Sequence, residues 1–356
     1  MMMSQNAIHH AEKCRFCWMC RHLCPIQHQT GREVNTPRAK GLLLSMVNKG
    51  AQTFDKDMAQ AMYECLLCDA CTNDCATGYQ PPLFIREART EAVVNELAPE
   101  AVMELIDKAL GTGNIYGEAK PSFAQNGTDV LVYIGDVAAF KAPAMAKNLL
   151  AVLAKAGVSA KVLDNEPSSG MMLADLMGYT QEVTEQAKAC AEAINAAGLP
   201  VVVLDSYDAE IMKQKYPEFG CEIKQEVTTA TAYVAKLIED GKLAAKAANG
   251  VSGACHDDDR LARTFHEFAP IRAMAKTAGY EVGEMFNKEK LAKSCGTAVA
   301  YAYMPDMIEK VAGGRWADLK RMGYKAMLVA NPQVYMCFDL CVPEGYELVD
   351  LYGALV

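Results

Sequence analysis

Eight of the 14 cysteines fall into two copies of one spacing. Cys14, Cys17, Cys20 and Cys24, followed by Pro25, make the first; Cys65, Cys68, Cys71 and Cys75 make the second. Both read C-x2-C-x2-C-x3-C, the run that ligates [4Fe–4S] clusters. Three thiolates two residues apart come off one tight loop and reach three corners of a cubane. The fourth lies too far along to close the same cube, and in a chain with two such runs it ligates the other cluster. The spacing therefore predicts one cluster on Cys14, Cys17, Cys20 and Cys75. It predicts a second on Cys65, Cys68, Cys71 and Cys24. Zinc prefers paired C-x2–4-C knuckles with four ligands per site, so each run would waste ligands. Disulfides suit small secreted domains, and residues 1–11 are polar with no apolar signal-peptide core.

The elements that must position these cysteines come next. A chain of 356 residues, half of them apolar, has room for two or three domains. The net charge of −9 gives no electrostatic support for nucleic-acid binding. No stretch approaches the ~18 apolar residues of a membrane-spanning helix. The expectation is a cytoplasmic protein, peripheral to a membrane only through a partner.

Residues 1–98 read as the cluster domain. Helical periodicity covers residues 36–50, 53–64 and 83–97, and again 100–110 within a helix and linker segment at 99–127. From residue 128 the pattern changes. Short apolar runs at 129–134, 159–163 and 200–204 alternate with helical stretches at 143–156, 171–177 and 180–197, the mark of a parallel sheet. The order recurs with strands at 250–255, 280–285 and 325–330 and helices at 261–278, 303–311 and 316–322, ending in a short tail at 347–356. Two units, 128–245 and 246–356, suggest an internal duplication. The fold class is α+β, a helical two-cluster ferredoxin-like domain followed by two tandem α/β units with parallel sheets. Gly111, Gly113 and Gly117 have the wrong spacing for a dinucleotide loop and follow no strand, so no NAD or FAD is expected on this chain.

Together these features resemble the iron–sulfur subunits of glycolate and lactate dehydrogenases. The wider group includes the corresponding iron–sulfur protein of anaerobic glycerol-3-phosphate dehydrogenase and the heterodisulfide reductase B/D proteins. The stretch Glu33-Val-Asn-Thr-Pro37-Arg38-Ala-Lys40-Gly41 is similar to the SPRG segment between the cluster motifs of that group. Cys75 departs from the pattern, with Ala76 where proline is usual. The later half resembles two eroded CCG domains. In the first unit Gly135-Asp136, Ser168-Ser169-Gly170 and Asp205-Ser206-Tyr207-Asp208 stand where the family has thiols, and Asp and Ser are poor ligands for soft iron–sulfur centres. That unit is expected to be kept structurally and silent chemically. The second unit keeps Cys255 and Cys295, has Asn331-Pro332-Gln333-Val334 in place of C-P-x-C, and adds Cys337 and Cys341. Two readings stand for Cys255, Cys295, Cys337 and Cys341: ligands of a third cluster at the carboxyl edge of the sheet, or buried thiols.

The remaining candidates are weaker. Cys190 and Cys221 read as packed or surface thiols. His256 adjoins Cys255, and His22 and His28 flank the first run; His266 reads as structural. Asp257-Asp258-Asp259 suits a helix start better than a cation site. No nucleophile–base constellation is visible. The resemblance implies a non-catalytic redox subunit with two [4Fe–4S] clusters. It would pass single electrons between an FAD-containing 2-hydroxy-acid dehydrogenase partner and a quinone, flavoprotein or other redox carrier. The alternative is a heterodisulfide-reductase-like subunit acting on a thiol or disulfide at a C-terminal cluster.

Overall fold

The computed structural model describes residues 3–356. The first hundred of these are helical. Gln5–Glu12, Pro37–Asn48, Lys56–Tyr63 and Pro81–Val94 pack around Leu44, Met62, Leu67, Tyr79, Phe84 and Ile85. Their starts follow from residue type. Ser4, Thr36 and Asp55 accept from the backbone N–H three residues on. Pro25, Pro37 and Pro81 each occupy a first turn, where the missing N–H costs nothing. Gly41 is set by packing: a Cβ there would collide with the Tyr79 hydroxyl, which donates to the Pro37 carbonyl at 2.8 Å.

Two sheets follow. The first comprises β1 (Gln125–Asn126), β2 (Val130–Tyr133), β3 (Ala160–Val162), β4 (Val201–Val203) and β5 (Val227–Thr229), in the order β1-β3-β2-β4-β5. Only β1 runs antiparallel. The second comprises β6 (Ser252–Cys255), β7 (Glu281–Gly283), β8 (Ala326–Val329) and β9 (Glu347–Asp350), all parallel, in the order β7-β6-β8-β9. Each unit thus lays its four parallel strands in the same spatial order, second-first-third-fourth. Alternate residues serve two apolar layers, as the strand pleat requires. Leu131, Tyr133, Met327 and Val329 face one layer; Val130, Val132, Ala326 and Leu328 face the other. The first layer also takes in Leu23, Ile26, Tyr63 and Cys68 from the helical region, so the part that carries the two cysteine runs is packed directly on the sheets.

Several elements differ from expectation. Strands β1, β5 and β9 add to the expected set; the tail at 347–356 is β9 followed by the helix Leu351–Leu355. The single helix expected over 261–278 is two, Asp259–Arg263 and Ala269–Thr277. His266 at φ 56° breaks the run, and Pro270 starts the second piece. The helices expected at 303–311 and 316–322 are one, Pro305–Arg321, running through Gly313-Gly314. Gly314 is small because Gln29 passes there; a Cβ would stand 2.6 Å from its amide nitrogen. The segment read as a linker is held down: Asn114 and Ile115 are buried, and Lys120 pairs with Asp136 at 3.0 Å and Glu166 at 2.7 Å.

Candidate functional site

The two cysteine runs fold alike. In the first, Phe16 (φ 56°) and Trp18 (φ 68°) flank Cys17; in the second, Leu67 (φ 52°) and Asp69 (φ 59°) flank Cys68. These are left-handed conformations that cost a non-glycine residue about 1–2 kcal/mol each. Such strain persists where the surroundings dictate it, commonly at functional sites. In both runs the amide two residues after the first cysteine donates to its sulfur at 3.4 Å, Phe16 to Cys14 and Leu67 to Cys65. Each loop ends in a short turn, Met19–Arg21 or Ala70–Asn73.

One cavity is lined by Cys24, Cys65, Cys68 and Cys71 together with Asn35 and Lys40. Cys24 comes from the first run and the other three from the second. Burial pushes the Cys24 thiol up to about 11 and the Cys71 thiol well above its ordinary range. The side-chain amide of Asn35 is fully buried, and neither its nitrogen nor its oxygen has a partner among the described residues. Lys40 is 2% exposed and donates to the Ala61 carbonyl at 2.5 Å. Burial lowers its pKa, against the opposing charges of Cys65, Cys24 and Glu64. Soft sulfur donors, an orphaned amide and a buried cation around one cavity fit an anionic thiolate-ligated cluster.

The first run lies nearer the surface. Cys14, Cys24 and Cys75 stand close enough to Cys20 for their charges to raise its thiol; with burial as the larger cause, it reaches about 12. Cys75 differs. Burial raises it, but the Thr77 hydroxyl, 3.2 Å from its sulfur, and the amides of Tyr79, Thr77 and Gly78 bring it below the usual thiol range. Cys17 is exposed. Arg38 stacks on Trp18 at 4.2 Å and Phe16 at 5.3 Å and pairs with Glu33 at 2.5 Å. The segment from Glu33 to Gly41 therefore serves both loops, with Arg38 over the first and Lys40 at the second. Among the described residues no three His, Cys, Asp or Glu side chains converge to hold one metal ion. A cubane makes no such demand, because each thiolate binds its own iron.

The four later cysteines are not brought together. Cys295 and Cys337 are both buried and lie side by side, and the neighbouring Cys337 adds to burial in pushing the Cys295 thiol well above its ordinary range. Cys341 bonds the Glu309 carbonyl at 3.7 Å, within electrostatic reach of Cys337. Cys255 faces the other apolar layer, because the pleat sends Ala254 one way and Cys255 the other. Its sulfur bonds the Ile271 carbonyl at 3.8 Å. Cys190 is buried in the core and Cys221 half-buried.

A buried polar network occupies the carboxyl edges of both sheets. Ser169 donates to Asp208 at 2.5 Å, Ser206 to Asp258 at 2.6 Å, and Tyr207 to Asp259 at 2.9 Å. Asn331 bridges the units by donating to Asp205 at 3.1 Å and Ser206 at 2.9 Å. Ser294 closes on Asp259 at 2.6 Å. Burial pushes Asp205 up to about 6 and Asp258 to about 7. Asp258 also caps the helix Asp259–Arg263, accepting from the Arg260 and Leu261 amides. Sequence reasoning missed the next link. Arg263 pairs with Asp259 at 2.6 Å and donates to the Cys68 carbonyl at 2.8 Å, and Arg260 reaches Asp69 at 3.4 Å. The second sheet unit thereby grips the second cysteine loop. His256 is buried edge-on to Phe338, its pKa lowered chiefly by burial. His22 stands 3.7 Å from Asp74, His28 contacts the His22 carbonyl, and His266 marks the helix break.

Geometry and comparison agree on the class: residues 10–79 match the 4Fe-4S dicluster domain family. Site and relatives together support an iron–sulfur electron-transfer protein. Among relatives, the chain is 22% identical over 309 residues to a probable membrane-anchored ferredoxin of Chromohalobacter salexigens, covering 81% of this chain and 46% of that protein. It is 25% identical over 213 residues to an EtfAB:quinone oxidoreductase of Syntrophomonas wolfei, covering 58% of this chain and 29% of that protein. The chain thus spans less than half the length of either relative. A hypothetical protein from Helicobacter pylori has a similar fold, with a TM-score of 0.61 at 10% identity over 98% of this chain and 72% of that one.

Proposed function

We propose that this chain is the electron-transfer component of an oxidoreductase complex. It would take electrons singly from an FAD-containing 2-hydroxy-acid dehydrogenase and hand them to a quinone, a flavoprotein or another carrier. The observation that carries this reading is the cavity in which Cys24 joins Cys65, Cys68 and Cys71. Those four residues would hold one [4Fe–4S] cluster; Cys14, Cys17, Cys20 and Cys75 would hold the other. When bound, such clusters supply one-electron redox chemistry. The chain's own residues do the rest. The Phe16 and Leu67 amides donate to sulfur, Lys40 sets a positive charge beside the inner site, and the helical layer keeps water from it. Quinone as acceptor is supported by the likeness to the quinone oxidoreductase of Syntrophomonas wolfei.

Residues 1–98 would form the cluster domain and residues 99–127 its tether. Residues 128–245 and 246–356 would be tandem CCG-like units; their shared strand order supports this. The polar network where the family has thiols suits a docking platform. Among the described residues no helix is long and apolar enough to cross a membrane. The heterodisulfide-reductase reading needs a full thiol set, and Cys255 lies on the wrong face for one.

The test is anaerobic purification with the co-expressed flavoprotein, followed by addition of lactate or glycolate. Bleaching of the chain's visible absorption on that addition is the expected result. Reduction only by thiols, with no response to 2-hydroxy acids, would overturn it.

A further inference from the structure

Residues 15–19 and 21–22 are all exposed, and they surround Cys17. Phe16, Trp18 and Met19 are 52%, 43% and 48% exposed, three large apolar side chains within four positions. Folded monomers seldom leave such a run to water without a use for it. Cations complete the patch. Arg38 and Arg21 stack over Trp18 at 4.2 Å and 5.5 Å. Between residues 12 and 38 there are five Lys or Arg and two acids, Glu12 and Glu33, the latter engaged by Arg38; Glu64 and Asp74 stand at the margin, 3.9 Å from Arg32 and 3.7 Å from His22. This local balance is opposite to the chain's net charge of −9.

We propose that the face around Cys17 is the docking surface for an acidic one-electron carrier protein. The inference rests on the assignment of Cys17 to the outer cluster. Electron transfer needs the two redox centres close, and the exposed ligand marks the shortest way in. The apolar centre supplies contact area, and the basic rim steers a negatively charged partner into register. Small interfaces of this make-up suit brief redox encounters. The step moves one electron from the reduced chain to the oxidised carrier; no bond is made or broken.

The probe is succinylated horse cytochrome c, whose lysines carry carboxylates, with native basic cytochrome c as the control. The dithionite-reduced chain, freed of dithionite, is mixed with each ferric protein and haem reduction is followed by stopped flow. The succinylated protein should react faster at low salt. Its rate should fall about tenfold or more between roughly 0.01 M and 0.15 M salt, as the screening length drops from ~30 to ~8 Å. Arg21→Glu, and independently Met19→Glu, should each slow it several-fold with iron content and EPR signals unchanged. Faster reaction with native cytochrome c at low salt, or no response to either variant, would overturn the surface alone. Loss of binding to phosphatidylglycerol vesicles in Arg21→Glu, with carrier rates untouched, would assign the face to lipid and refute the proposal. A chain without cluster signals would instead sink the cluster assignment, and this surface with it.

Discussion

Lys40 is the residue whose change should be read most cleanly. Its ammonium is buried at the inner cavity beside Cys24 and Cys65. A cation there favours the reduced, more negative state of a bound cluster. Lys40→Met should therefore lower one of two midpoint potentials by on the order of 50–100 mV and leave the other nearly in place. An EPR-monitored redox titration measures both. The cross-run assignment has its own test. Cys24→Ala and Cys71→Ala should abolish the same cluster signal, while Cys20→Ala abolishes the other. If Cys24→Ala and Cys20→Ala share a phenotype, each run closes its own cube. The eight cysteines were legible in the sequence because ligation imposes a spacing. Arg260 and Arg263 were not, because they reach the second cysteine loop through tertiary contacts from far along the chain.

At the scale of elements, the helix Pro81–Val94 shows how local chemistry sets a boundary. It ends in a Schellman turn: Leu97 N–H donates to the Ala92 carbonyl at 2.8 Å and Glu96 N–H to Val93 at 3.2 Å. Glu96 takes the left-handed position at φ 56°, which glycine fills without strain. Glu96→Gly should stabilise the protein by about 1 kcal/mol, seen as a raised urea midpoint with unchanged slope. An unchanged or lowered midpoint would show that the Glu96 side chain contributes more than its backbone costs. Strands such as Val130–Tyr133 were legible as unbroken apolar runs. Strand β5 was not, because Val227–Thr229 is short and mixed. The glycine pair inside Pro305–Arg321 read as a break, although the second of them, Gly314, is there because Gln29 packs against it.

Over the whole molecule, the polar network at the sheet edges joins the two units and reaches the inner cysteine loop through Arg263. Its carboxyls carry a pH signature. Asp205 and Asp258 titrate near 6 and 7 in the fold, above the ordinary aspartate value of 3.8. They hold protons that the unfolded chain has already lost. Their contribution to stability is therefore complete below about pH 4 and is lost as pH rises towards 7. Asp258→Asn keeps a good helix cap and removes the buried charge. Its gain over the native chain should be near zero at pH 4 and on the order of 2 kcal/mol at pH 8. Equal effects at both pH values in urea titrations would rule this out. The tandem sheets were visible in the alternation of apolar runs and helices. The network was hidden, because Asp205, Ser206 and Asn331 read only as replacements for thiols until the two units are brought together.

The most direct test of the account is iron and acid-labile sulfide per chain in anaerobically purified protein, with EPR of the dithionite-reduced sample. About eight irons and two interacting [4Fe–4S] signals are expected. Bound zinc with almost no iron would contradict it.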